Sequence, residues 1–221
     1  MKIRVNIDIR VGRVVKYFIF VDLALLAGWG LIDPLFSVFI RESENLPEIT
    51  LGTIGALVGV YWLVKSVIQL PLANYLDRRA GEKDDFYALI LGLFLISASA
   101  FLFALVHEVW QLFAVQILRS VAFAFYAASW PAIFSRHLDK ERVSFDWALD
   151  STAVGIAAGV SGIVGGFLAQ TYGYTSVFVL GAFFSMVAAL ILIFTPDLIM
   201  PPKPTTVAAE PKDHGPVNFG R

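Results

Sequence analysis

The sequence predicts an all-α membrane protein of six transmembrane helices, and three observations carry that expectation. The first is composition: 57% of the 221 residues are hydrophobic and only 16% are charged, with a mean hydropathy of +0.72, whereas a typical soluble domain is about 25% charged. Several segments are apolar around their whole circumference, a pattern that suits helices surrounded by lipid. The second is length. Six apolar runs, near 17–40, 50–76, 85–107, 109–134, 146–170 and 174–195, each reach the ~20 residues a helix needs to cross the bilayer core. Barrel strands would be ~9–11 residues of alternating polarity, so helices are expected. The third is charge sidedness. Fourteen lysines and arginines fall in the N-terminal arm, the second and fourth connectors and the C-terminal tail, against Arg41 alone on the other face. Positive residues stay on the cytoplasmic side, which predicts a multi-pass protein of the cell membrane with both termini cytoplasmic, and hence an even number of spans.

Along the chain this divides into a cytoplasmic arm (1–16), a six-helix domain (17–195) and a tail (196–221). The arm "KIRVNIDIRVGR" alternates with period two, which suits a strand, an interfacial segment or an unstructured arm. The first run is too long for a signal-peptide core and lacks a small-residue cleavage site, so it is expected to be retained. The tail, rich in proline and polar residues, is expected to be disordered. A net charge of −1 excludes nucleic-acid binding, which needs a concentrated basic surface. There is no cysteine, His107 and His137 fall at opposite membrane faces, and His214 lies in the tail. No metal site, no cofactor and no catalytic constellation is expected, so the protein is not read as an enzyme.

Chemistry is expected where ionisable groups sit at membrane depth, because each costs about 2.5–3.5 kcal/mol on insertion scales and is rarely kept without a role. Asp22 and Asp33 in helix 1, Lys65 in helix 2 and Arg119 in helix 4 are such groups, with Asp150 shallower in helix 5. Asp22 and Asp33 are eleven residues apart, within about 20° of three turns, so they share one face with Leu26 and Trp29 between them. By the helical rise of 1.5 Å per residue, Asp33 and Arg119 both fall to the outer side of the midplane as expected ion-pair partners, and Asp22 and Lys65 both fall on the cytoplasmic side, less closely matched in depth. Two acids and two bases sum to zero, as a paired internal set requires. Gln116, one turn from Arg119, adds a polar group. Either these are fixed bridges that orient helices, or they line a hydrated cavity where a carboxylate changes partner or protonation.

Helices 3 and 6 carry no charge within their spans and are expected at the lipid-facing periphery, leaving helices 1, 2, 4 and 5 for the interior. Helix 5 places Ser151, Gly155, Gly159, Gly162 and Gly166 on one face, a small-residue stripe for close helix approach. It serves either packing within the bundle or contact with another six-helix unit; Gly55 and Gly59 repeat the signal weakly. Pro34, Pro71 and Pro131 remove backbone donors and permit kinks.

The tract "ANYLDRRAGEKDDF" (73–86) resembles the signature between helices 2 and 3 of the major facilitator superfamily. Asp77, Arg78, Gly81 and Lys83 stand for its members, Ala73 replaces the usual glycine, and Glu82 occupies a normally basic position. Arg119 is similar to the arginine of that family's helix 4 signature, with Phe123 in place of the following glycine. "SGIVGG" (161–166) resembles the helix 5 antiporter motif with Gly162 where proline is usual, and "GYTSVF" precedes helix 6. The resemblance covers about residues 15–196 and implies half of a major-facilitator-type bundle. It implies that Asp77 latches one conformation by docking near a helix N-terminus of an opposite half. It also implies a homodimer of two parallel six-helix halves, or else that the chain is the N-terminal half of a twelve-helix transporter. The function expected is secondary transport of a small solute, with protons carried through Asp22 or Asp33. A non-transporting membrane scaffold on the same helices is the alternative.

Overall fold

The structure is a computed structural model that describes residues 11–42, 49–78 and 82–196. Among the described residues, six helices are long and apolar enough to cross a membrane: α1 (Arg13–Glu42), α2 (Leu51–Asp77), α3 (Lys83–Phe103), α4 (Val109–Arg136), α5 (Val143–Tyr172) and α6 (Tyr174–Ile193). The expected spans are all present, with ends displaced by a few residues. The expectations for the arm before residue 11, for Gly81 and for the tail beyond residue 196 lie outside the described residues.

Local chemistry sets the ends. The Thr50 hydroxyl accepts the Thr53 N–H at 3.2 Å and starts α2. Glu108 and Gln111 form a capping box at the start of α4, and the chain turns at Ala104, so α3 stops four residues before the expected end at 107. Asp84 and Asp85 lie in the first turn of α3, where the helix dipole favours negative charge. Gly173, at φ +80°, ends α5 and lets α6 begin at the next residue. In α1 the segment Asp33–Leu35 tightens to a 3-10 turn with Pro34 at its start. Because Pro34 has no N–H to give the preceding turn, the helix is interrupted where Asp33 sits.

The helices pack in the lateral order α2, α4, α3, α6, α1, α5, with only sparse contact between α1 and α4. Small residues allow the closest approaches. A Cβ on Gly28 would stand 2.7 Å from the Gly181 carbonyl oxygen, which draws α1 against α6. Ser97 on α3 donates to the Ala182 carbonyl of α6 at 2.8 Å. Aromatic pairs fill the core, including Phe39–Phe178 at 4.7 Å and Trp130–Phe134 at 4.6 Å between ring centroids.

Burial within the single unit differs from helix to helix. The uncharged helices α3 and α6 are packed members of the unit, buried over 50% and 44% of their apolar windows, whereas α2 and α5 are buried over only 11% each. Absence of charge reports tolerance of an apolar environment, and neighbouring helices provide that as well as lipid does. Outward apolar side chains on α3 and α6, such as Phe101 and Phe183, remain for the acyl chains.

The glycines of α5 divide in the same way. A Cβ on Gly155, Gly159 or Gly166 would meet nothing within 4 Å, and one on Gly162 would make only ordinary contact with Gly30 and Pro34. The tight α1–α5 contact falls instead to Gly30 against Ala158 and to Gly165, whose added Cβ would lie 2.8 Å from the Leu31 carbonyl oxygen. Packing within the unit therefore uses a face adjacent to the expected stripe, and most of the stripe is left bare, as are Gly55 and Gly59 of α2.

Candidate functional site

Gln116, Arg119, Phe123, Tyr126 and Trp130 recur along α4 at steps of three and four, so one face of that helix carries them all. Arg119 is the centre of the site. Its Nη2 donates to Asp33 Oδ1 at 2.6 Å, which brings together the two residues matched by depth in the sequence. The guanidinium is 8% exposed and the carboxylate 54%. A buried cation thus meets a half-open anion at the break in α1.

Aromatic rings hold the guanidinium in place. Its carbon lies 3.9 Å from the Trp29 ring centroid, 4.6 Å from Tyr61 and 5.6 Å from Phe123, contacts worth about 0.5–2 kcal/mol each. Trp29 is 2% exposed and lies four residues before Asp33, so one α1 stripe supplies both a ring and the carboxylate. Gln116 donates from Nε2 to the Leu57 carbonyl at 3.2 Å, tying α4 to α2. Three buried polar atoms around the pair, Trp29 Nε1, Gln116 Oε1 and Arg119 Nε, have no hydrogen-bond partner among the described residues. Beyond Asp33, Ser37 and Arg41 continue the same face of α1 and, with Val38, Glu42, Leu51 and Ile54, line an open groove of about 540 Å³.

Asp22 and Lys65 do not pair. Asp22 is 6% exposed and accepts a hydrogen bond from the Tyr126 hydroxyl. Lys65 instead places its ammonium 5.0 Å from the Trp62 ring centroid and 5.8 Å from Tyr61, with no carboxylate at ion-pair distance among the described residues. Rise along the helix put both residues on the cytoplasmic side, but their partners differ: Lys65 stays beside rings of its own α2, while Asp22 takes a hydroxyl from α4. Asp150, 6% exposed with Oδ1 unpartnered, lies within electrostatic reach of Asp22.

Tyr126 was missed in the sequence although its spacing, seven residues after Arg119, places it on the Arg119 face. A second missed group ties the end of the bundle that carries Asp77. Arg136 donates to Asp85 at 2.5 Å, and His137 lies 3.6 Å from Glu82, joining the start of α3 to the end of α4. Asp77, Arg78 and Lys83 are exposed at this end, and Asp77 has no ion-pair partner among the described residues.

Fold and site together define the class: a multi-pass α-helical membrane protein whose ionised side chains are gathered among its helices. Residues 18–219 match the family model described as Major Facilitator Superfamily, and the chain belongs to that family. It is 24% identical over 166 residues to the Uncharacterized MFS-type transporter MJ1560 of Methanocaldococcus jannaschii, an overlap of 75% of this chain and 41% of the relative. The chain spans about two fifths of the length of that curated relative.

Proposed function

We propose that the chain is one six-helix half of a secondary active transporter for a small solute, and that two copies in the same orientation, with N- and C-termini cytoplasmic in the cell membrane, form the working homodimer. The observation that carries this reading is the pair Asp33–Arg119, whose cation is fixed among rings while its anion is half open. A carboxylate in that position can take a proton, or leave the guanidinium free for a solute, without unpacking a helix. Halves of this family are related by an axis along the membrane normal, and a second copy placed by a twofold axis in that direction would cover the bare faces of α2 and α5. In that arrangement Gly155, Gly159 and Gly166 approach the partner, and Asp77 docks near the N-terminal turn of the partner's α5, where the helix dipole favours a carboxylate.

Proton coupling is assigned to Asp22. Its described partner is a hydroxyl, so it can take up and release a proton without breaking an ion pair, whereas Asp33 must first leave Arg119. The relative's greater length favours a second reading, in which the complementary half is a different six-helix segment and not a second copy.

Uptake by proteoliposomes containing the purified chain, across a broad solute panel with and without a pH gradient, tests the proposal. Solute accumulation is expected, with loss of flux in Asp33→Asn and Arg119→Gln and loss of the pH-gradient drive alone in Asp22→Asn. Unchanged flux in folded Asp33→Asn and Arg119→Gln would assign the pair a purely orienting role, as in a scaffold. A detergent-solubilised mass of one chain, with transport retained, would remove the homodimer.

A further inference from the structure

We propose that the solute taken at this site is an organic monoanion with an apolar, preferably aromatic, body, and that Lys65 is the residue that selects its charge. The proposal rests on the transport site described above and names the class of its substrate.

Charge balance around Arg119 is the starting point. Asp33 occupies Arg119 Nη2 and cancels its charge, and Asp22, the acid expected beside Lys65, is held instead by Tyr126, two turns along α4 from Arg119. That leaves the Lys65 ammonium as excess positive charge, stabilised among the described residues by the Trp62 and Tyr61 rings. An unpaired cation at membrane depth is rarely retained unless something binds it. Geometry directs the two cations to one place. Tyr61 and Lys65 are four residues apart on one face of α2, and the Tyr61 ring has the ammonium 5.8 Å from its centroid and the Arg119 guanidinium 4.6 Å from it. An anion beside the Tyr61 edge therefore lies within reach of the Lys65 ammonium, which has no carboxylate at ion-pair distance among the described residues.

The alternatives fit less well. Beside Lys65 and Arg119 a cationic solute would meet two cations, with Asp33 alone at ion-pair distance from either among the described residues. A neutral solute leaves Lys65 as it is. The apolar body of the anion is matched by Trp62, 57% exposed on α2, and by the edge of Tyr61. These rings offer flat contact area to an aromatic group.

The test uses three compounds that share a body and differ in charge: 4-phenylbutyrate, 4-phenylbutyramide and 4-phenylbutylamine. Binding to the purified full chain is read by tryptophan fluorescence and thermal stabilisation, and flux is read in proteoliposomes. The carboxylate is expected to bind at least about tenfold more tightly than the amide, the scale of one charge-assisted hydrogen bond. Lys65→Gln is expected to remove that preference, and Lys65→Arg to restore it. Equal affinity for acid and amide, tighter binding of the amine, binding of none of the three, or an undiminished preference in Lys65→Gln overturns the proposal. Selective carboxylate binding with no flux of any compound keeps the anion site and overturns transport. Flux of the amine or amide alone keeps transport and overturns the anion site.

Discussion

Gly165→Ala and Gly159→Ala are chemically identical substitutions on one helix, and the structure separates their outcomes. At Gly165 the new Cβ lies 2.8 Å from the Leu31 carbonyl oxygen, 3.1 Å from its Cα and 3.3 Å from its carbonyl carbon. Every one of those atoms is backbone, so no rotamer change relieves the contact, and α1 and α5 must move apart by several tenths of an ångström. Overpacking of this kind costs about 1–3 kcal/mol. For a chain of this size, each kcal/mol corresponds to roughly 2–4 °C in melting temperature, so Gly165→Ala is expected to lower the midpoint by about 2–12 °C. At Gly159 the added carbon meets nothing within 4 Å, and the melting of the six-helix unit should be unaffected. Thermal unfolding followed by size-exclusion chromatography in mild detergent reads both quantities, since it separates loss of the fold from loss of assembly. A bulkier change, Gly159→Leu, should leave the unit folded and shift the elution toward a single chain if the stripe meets a second copy. Equal melting losses for Gly165→Ala and Gly159→Ala would refute the close α1–α5 contact at Gly165.

Other expectations concern the polar contacts. A double-mutant cycle on Asp33→Asn and Arg119→Gln should give a coupling of about 1–2 kcal/mol in thermal unfolding, below the ~3–5 kcal/mol of a fully buried pair because the carboxylate is 54% exposed; a coupling near zero contradicts a formed bridge. Tyr126→Phe should destabilise by about 1–3 kcal/mol, since it leaves the buried Asp22 carboxyl without its described hydrogen bond, and an unchanged melting temperature speaks against that bond. Arg136→Gln strips the partner from Asp85, which is 3% exposed, and should lower stability by at least as much; the combined Asp85→Asn/Arg136→Gln variant should recover part of the loss.

The spans were legible because apolar length and flanking charge are one-dimensional properties. Asp33–Arg119 was legible for a similar reason: depth follows from helical rise, and an acid and a base on the same side of the midplane can meet even across two helices whose backbones touch only sparsely. Asp22 and Lys65 obeyed the same arithmetic and still failed to pair, because depth says nothing about lateral order. The burial of α3 and α6 was hidden by the same gap, since an uncharged helix reads alike whether lipid or protein surrounds it. On α5, the four-residue spacing found a small-residue face but not its neighbour, and Gly165, one position away from the stripe, carries the contact with α1. Tyr126 shows what helical spacing could have added: its place on the Arg119 face was readable, but its role required knowing that α1 brings Asp22 there.

Transport at this site requires water to reach the face of α2 that carries Tyr61 and Lys65. The chain has no cysteine, so a single introduced thiol reports cleanly. Val58 is 46% exposed and lies one turn before Tyr61 and Trp62, while Phe183 is 59% exposed on the outward face of α6. In membranes, Val58→Cys should be modified by a water-soluble, membrane-impermeant maleimide, and Phe183→Cys, surrounded by acyl chains, should not. An inert thiol at position 58, or equal labelling at both positions, would contradict a hydrated transport site.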